Sequence, residues 1–399
     1  MGTRMRVGVI ERVLAAVAAR YLPESFKGKL DVTLPSGRVV TLGGALPGET
    51  ADLKLCNFKV LWAGFRRAQL GFFERYLAGD IVSSNPTAFF RFYLQNRSGL
   101  DGASGMFNSS LFDKLWHRLR DNNRKGSKDN IAAHYDLGNE FYRVWLDDTM
   151  SYSSAVFDDK ANSLEAAQTL KYKKVLEAAE VKKGSRVLEI GCGWGGFAEM
   201  VAKAGATLRG ITLSKEQLAF AQERLKRQKL DGRTELVLED YRDTKGVFDA
   251  IASIEMIEAV GEPHWPTYFK TLFNLLKPGG AAAIQGITVL EENFPAYQAG
   301  VDFIQRYIFP GGMLLTKEIM REQAQKAGLL LEKVECFGLS YAETLRQWRV
   351  RFEAAWPKIE PLGFDERFKK LWTLYLCYCE AGFAEGIVDV GIYKIRKPV

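Results

Sequence analysis

Val187-Leu188-Glu189-Ile190-Gly191-Cys192-Gly193-Trp194-Gly195-Gly196-Phe197 decides how the rest of this chain is read. The opening residues suit a buried strand, the glycines a tight turn, and Phe197 the first turn of a helix. Such a turn lets backbone approach a nucleotide-type cofactor, because glycine lacks a Cβ and accepts positive φ. The pattern is not that of a dinucleotide site, which wants G-x-G-x-x-G and an acid about 20 residues further on. Here the acid, Glu189, lies inside the motif. The next expected strand runs to Thr212 and into Leu213-Ser214-Lys215, with no acid at its tip.

Outward from the turn, strands and helices alternate. Strands are predicted over 186–190, 207–212, 234–238, 248–254 and 280–288, and helices over 196–204, 216–228 and 268–276. That alternation is the signature of a doubly wound α/β domain on a parallel sheet, with its site beyond the carboxyl ends of the strands. Upstream, Leu30–Leu34 and Val39–Leu42 flank Pro35-Ser36-Gly37-Arg38 and predict a hairpin. Partial alternation continues over 52–60, and helices are predicted over 9–21, 66–78 and 86–94. The expected organisation is a smaller N-terminal α+β domain over 1–116, a basic linker over 117–130, and an α/β catalytic domain over 131–399.

Composition narrows the chemistry. The 399 residues are 47% hydrophobic and 26% charged, an ordinary globular balance. No apolar run approaches the ~18 residues of a membrane span, and the N-terminus lacks the unbroken apolar core of a signal peptide. A cytoplasmic placement is expected. Five cysteines without a C-x-x-C pair, and only 3 histidines, argue against a zinc or iron–sulfur site. The net charge of +7 points to an anionic partner. No RNA-binding motif accompanies it, so nucleic acid is not expected.

The glycine turn with Glu189 resembles the S-adenosylmethionine site of class I methyltransferases. Glu189 is placed to hold an ammonium or to order Gly191, Gly193 and Gly195. Gln217 is a candidate for the ribose hydroxyls, Asp240 for the adenine amino group, and Tyr241 stands beside it. The resemblance then sharpens. His134-Tyr135-Asp136-Leu137-Gly138-Asn139, Met150-Ser151-Tyr152-Ser153-Ser154, the glycine turn, Asp240-Tyr241-Arg242-Asp243, Tyr307-Ile308-Phe309-Pro310-Gly311-Gly312 and Phe337-Gly338-Leu339-Ser340-Tyr341 occur in that order. Thr344-Leu345-Arg346-Gln347-Trp348 completes the set. This ordered set resembles the cyclopropane-fatty-acyl-phospholipid synthase family, relatives of the mycolic acid methyltransferases, across residues 131–399.

The resemblance implies a Rossmann-like, mostly parallel seven-stranded sheet and S-adenosylmethionine as cofactor, with Tyr152, Ser153 and Thr212 added to its contacts. It implies methyl transfer to the double bond of an unsaturated phospholipid acyl chain through a carbocation, and a bicarbonate ion that removes the proton. The family's bicarbonate cradle uses a Cys, a Glu, a His and a Tyr. Here Ser154 replaces the Cys, Glu258 is kept, Gln285 replaces the His, and Tyr341 is kept. Glu255 stands three residues before Glu258, where typical cyclopropane synthases have Gly. Helical spacing there would put both carboxylates on one face. Two readings stay open. In one, Glu255 takes over part of the bicarbonate's task, and proton loss from a different carbon gives a methylene or methyl-branched product instead of a ring. In the other, bicarbonate still binds through backbone amides, Glu258 and Tyr341, with Ser154 and Gln285 as substitute hydrogen-bonders. Tyr307 and Tyr341 are the candidates for aromatic stabilisation of the cation.

Two other function classes are compatible with these residues: a methyltransferase of this fold with a soluble acceptor, and a non-catalytic lipid-binding protein. The family implies peripheral contact with the inner face of the cell membrane, and a homodimer. The stretch 117–128 carries Arg118, Arg120, Arg124 and Lys125 among turn-forming residues. Neutralising these four is expected to weaken co-sedimentation with anionic vesicles and to flatten its salt dependence; unchanged binding would refute that contact.

Overall fold

Alternating strands bounded by turn residues build the first of two sheets. The computed structural model describes residues 26–57, 70–101, 137–159, 161 and 163–399. The helix predicted over 9–21, the basic linker and the His134-Tyr135-Asp136 segment lie outside the described residues. The small sheet has the order β2-β1-β3-β4, from β1 (Lys27–Thr33), β2 (Val39–Gly43), β3 (Leu46–Leu55) and β4 (Ile81–Val82). The hairpin at Pro35-Ser36-Gly37-Arg38 forms as expected, with Thr33 opposite Val39. The parallel pairing of β3 with β1 was not foreseen, and glycine permits it: a Cβ on Gly28 would stand 2.0 Å from Glu49 O. Residues 70–77 are helical, and the next helix, α1 (Pro86–Asp101), runs past its expected end.

The larger unit begins with α2 (Asn139–Arg143) and α3 (Leu164–Ala178). It continues through β5 (Arg186–Ile190), α4 (Gly196–Lys203), β6 (Thr207–Thr212), α5 (Lys215–Arg227), β7 (Thr234–Leu238) and β8 (Phe248–Ile254). Then come α6 (Trp265–Leu275), β9 (Leu276–Val289), α7 (Phe294–Ala299), α8 (Phe303–Tyr307) and α9 (Lys317–Lys326). The chain closes with β10 (Leu330–Cys336), α10 (Gly338–Ile359), α11 (Glu366–Ala384) and β11 (Val388–Arg396). The sheet order is β10-β11-β9-β8-β5-β6-β7, and β11 alone runs against the others. This is the mostly parallel seven-stranded α/β sheet expected from the alternation. The four strands β5 to β8 match their predicted spans.

Two features of this order place the site. The chain steps outward from β5 to β6 and β7 on one side, and from β8 to β9 on the other. The crevice at this reversal opens at the carboxyl ends of β5 and β8, where ligands of such sheets bind. Above it, α10 and α11 contribute an aromatic wall with Trp348, Phe352, Trp372 and Tyr375 buried in one core.

That core also receives the N-terminal unit. Phe73 stacks on Phe303 with ring centroids 4.2 Å apart, and Phe90 meets Tyr378 edge-on at 5.4 Å. Polar contacts fix the orientation: Arg91 Nε donates to Glu385 at 2.6 Å, and Thr87 Oγ1 to Glu380 at 3.2 Å. Replacing a fully buried phenylalanine by alanine costs about 3–5 kcal/mol, because transfer and cavity terms add. Phe303→Ala is therefore expected to lower the urea midpoint of unfolding sharply; a shift within error would show that the two units do not share a core.

Candidate active site

The residues predicted for the cofactor converge on one cleft, whose empty volume including its mouth is about 960 Å3. Tyr152, Ser153, Glu189, Gly191, Gly193 and Thr212 line it, as do Gln217, Tyr241 and Glu255. Glu189 is the fourth residue of β5, is 3% exposed, and its Oε2 accepts no hydrogen bond among the described residues. Burial pushes its carboxyl well above the ordinary range, with the Lys171 charge opposing. An orphaned buried carboxylate oxygen facing a cleft fits the ammonium of an amino-acid moiety. Gly191 has φ 83°, and a Cβ there would stand 3.1 Å from the Met256 side chain. Ser214 caps α5 by accepting from Gln217 N at 3.2 Å, which brings Gln217 into the cleft behind β6. Gln217 Oε1 takes the Thr212 hydroxyl at 3.3 Å, leaving its NH2 for a ribose hydroxyl.

Two predicted contacts are placed elsewhere. Asp240 does not line the cleft: its carboxylate is gripped by the Arg242 guanidinium at 2.8 and 2.6 Å. The acid at that end of the cleft is Glu239, one residue earlier, salt-bridged to Arg209 at 2.7 Å. Gly195 acts through conformation. It is the left-handed N-cap of α4, and a Cβ there would stand 3.0 Å from Ala221.

Glu255 stands at the end of β8, across the switch point from Glu189. Three donors hold its carboxylate. Ser154 N donates at 2.8 Å, Gln285 Nε2 at 2.8 Å and the Tyr341 hydroxyl at 2.7 Å. Each has a structural reason to be there. Gln285 lies on β9 beside the β8 end, where its carbonyl accepts from Glu255 N at 2.8 Å. Tyr341 is on α10, whose Thr344 and Ser340 hydroxyls also hold Ala155 N and Phe157 N, each at 3.1 Å. The segment carrying Ser154 is therefore pinned by the same helix that supplies Tyr341. The Ser154 hydroxyl itself turns away, donating to Ala155 O at 2.9 Å, so the backbone and not the side chain serves the site.

Glu258 lies on a one-turn 3-10 helix, Ile257–Ala259. The helical pairing of Glu255 with Glu258 expected from their spacing is not what forms: Glu255 is outside the turn, with φ 49°. The two carboxyl groups are nonetheless coupled. Burial and the Glu255 charge push Glu258 up to about 8, opposed by Ile287 N, which donates to its Oε1 at 2.6 Å. Glu258 Oε2 has no partner among the described residues. Glu255 is also raised by burial, but Tyr341, Ser154, Gln285 and Lys171 all favour its charged form. The shared charge therefore rests on Glu255, and the proton on Glu258. The donors a bicarbonate would need are already spent on Glu255, and an anion beside it would meet like charge. The residues present do not fit a separate bicarbonate.

Tyr307 is not in this cluster. Its hydroxyl donates to Glu74 Oε1 at 3.0 Å, at the seam with the N-terminal unit. The aromatic wall facing the cofactor side comes instead from Tyr152, packed on Trp348 at 5.2 Å and hydrogen-bonded to the Tyr375 hydroxyl at 2.9 Å. Lys171, fully buried below the cleft, and Glu239 escaped sequence reasoning. Lys171 was detectable: it falls on the same helical stripe as Leu164, Ala167, Gln168 and Val175.

Comparison with known proteins identifies the family. Residues 122–392 match the family model described as mycolic acid cyclopropane synthetase. A tuberculostearic acid methyltransferase of Mycobacterium tuberculosis is 40% identical over 333 residues, covering 82% of this chain and 78% of that protein. The cyclopropane-fatty-acyl-phospholipid synthase of Escherichia coli is 34% identical over 358 residues, 86% of each chain. Among solved structures, a mycolic acid cyclopropane synthase complexed with S-adenosylhomocysteine (SAH) superposes with a TM-score of 0.63 at 28% identity, over 68% of this chain and 98% of that one.

Stability should follow the Glu258 proton. Its folded value is raised above the ordinary 4.5, so its contribution is complete below that value and is lost as pH rises through about 8. Urea unfolding is expected to show stability falling as pH rises from the ordinary 4.5 to about 8 and levelling above it, and Glu258→Gln to flatten the fall. An unchanged slope in the variant would assign the proton elsewhere.

Proposed function

Because this chain belongs to the mycolic acid cyclopropane synthetase family, and so is an S-adenosylmethionine-dependent methyltransferase of fatty acid modification, we propose that it methylates the double bond of an unsaturated phospholipid acyl chain, with Glu255 as the base. The observation that carries this reading is the grip of three donors on Glu255 at the end of β8. The cofactor supplies an electrophilic methyl group. Held by Glu189, Gln217 and the glycine turn, it would give that methyl to the acyl double bond and keep the carbon–sulfur electron pair, which would leave a cation on the acyl chain. Tyr152 and Tyr341 face this cation with aromatic surface, and the Glu255 charge lies on the same side. Glu255 then takes the proton. Loss from the new methyl carbon while it closes onto the cation gives a three-membered ring. If a hydride first shifts to move the cation to the branch carbon, proton loss gives a branched olefin.

The division of labour within the pair supports a tethered base. Glu255 is held charged by donors, whereas Glu258 is kept neutral and one residue turn away. Glu255 pays a backbone cost to be there: φ 49° is a conformation that suits glycine and strains other residues by about 1 kcal/mol. The acceptor is proposed to lie in an anionic membrane surface that the enzyme meets peripherally; no helix among the described residues is long and apolar enough to cross a membrane.

Purified protein with the cofactor and vesicles of monounsaturated phospholipid is expected to add one CH2 unit per modified acyl chain, by mass spectrometry. A ring survives mild hydrogenation as a ring, and a branched olefin becomes a methyl branch. Turnover is expected to be unchanged in bicarbonate-depleted buffer. Glu255→Gln should lower kcat by about 100-fold or more, while Glu258→Gln, which keeps the neutral form, should retain most of it. Bicarbonate dependence of the wild-type enzyme, or near-normal turnover of Glu255→Gln, would refute Glu255 as the base.

A further inference from the structure

Lys171 is the buried charge that the proposed reaction leaves unused. Its side chain is 0% exposed on α3, beneath the cofactor cleft. Isolating an ammonium from water costs several kcal/mol, and a methionine would fill the same space without that cost. The geometry shows where the charge is spent. Lys171 Nζ donates to Ser153 Oγ at 2.7 Å, and Gln168, one turn earlier on the same face, donates to Ser153 O at 2.9 Å. Two side chains of α3 thus clamp one cleft-lining serine from below.

An ammonium has donors only, so the Ser153 oxygen is the acceptor in this bond. The Ser153 hydroxyl proton must then point to some other acceptor. Ser153 and Glu189 line the same cleft, and Glu189 presents an unpartnered carboxylate oxygen to an ammonium. An amino-acid moiety whose ammonium meets Glu189 carries a carboxylate on the neighbouring carbon. We propose that Lys171 is a positioning residue for the cofactor: by donating to Ser153 Oγ it orients the Ser153 hydroxyl to donate to the carboxylate of the cofactor's amino-acid end. This rests on the reading that Glu189 holds the ammonium of that same moiety.

The surroundings of Lys171 are consistent with an ammonium kept charged for this purpose. Asp147 before Met150, Glu189 on β5 and Glu255 after β8 all raise its affinity for the proton, against burial, which brings it down to about 8. The Tyr172 ring lies 4.1 Å from Nζ and adds a cation–π contact. The Tyr172 hydroxyl is bonded to Ser151 at 2.7 Å, so it does not compete for Ser153.

Two ligands that differ only in the amino-acid end test this. SAH carries that end, and methylthioadenosine lacks it. By calorimetry, Lys171→Met is expected to weaken SAH binding about tenfold or more while leaving methylthioadenosine within about twofold. Ser153→Ala should show the same selectivity, and the double variant should be no weaker than Ser153→Ala, because the two side chains act in series. Where Lys171→Met does not fold, Lys171→Gln, which keeps a donor, should show a smaller loss with the same selectivity. Equal weakening of both ligands would mean a structural role and overturn the proposal. Selective loss in Lys171→Met with full SAH affinity in Ser153→Ala would overturn the route through Ser153. If Glu189→Gln leaves the preference for SAH intact, the underlying placement of the ammonium fails instead.

Discussion

A dry crevice that collects negative charge is the constraint on which this molecule turns. Glu189, Glu255 and Glu258 converge where β5 and β8 end, and burial acts against the ionised form of each. The surrounding structure settles that conflict differently for the three. Glu255 receives donors from β9, from α10 and from the segment carrying Ser154. Glu258 receives only backbone N–H groups, that of Ile287 among them, and keeps its proton. Glu189 has one oxygen without a partner, the state expected of a group that completes its shell with a ligand. Lys171 lies beneath as the protein's own countercharge to Glu255 and Glu189, with Asp147. Much of the remaining architecture serves to bring these elements to one point: the switch in strand order, the return of β11 against β9, and the packing of α10 over the cleft.

The fold was legible wherever local pattern carries the information. Strands β5 to β8 are short apolar runs between breakers, and the hairpin of β1 and β2 announces itself through Pro35-Ser36-Gly37-Arg38. What was not legible is non-local. The parallel pairing of β1 with β3 depends on Gly28 meeting Glu49 across the sheet, which no window of sequence reveals. The extent of α1 was underestimated because its second half is polar, and polar helix segments lack a periodic stripe.

At the site, residue identity was easier to read than residue role. Glu255 was conspicuous because an acid replaces glycine in a recognisable segment, and it is central. The glutamate spacing suggested a helix face, but a left-handed residue at the strand end sets their geometry. Ser154 was expected as a hydrogen-bonder at the site, and its amide, not its hydroxyl, meets Glu255. Asp240 drew attention as a strand-end acid, yet Arg242 two residues on neutralises it and leaves the position to Glu239. Lysine in a helix is normally solvent-facing, and only the place of Lys171 on an apolar stripe signals its burial.

The seam between the two sheets carries an implication for how such a chain can change over time. Phe303 and Tyr378 are covered by Phe73 and Phe90, and the Tyr307 hydroxyl is spent on Glu74. A shorter descendant lacking the N-terminal unit would inherit wet aromatic faces on α8 and α11 and a tyrosine without its acceptor. Loss of the first segment therefore has to coincide with repainting of those two helices. A chain with the larger unit alone needs different residues at 303, 307 and 378.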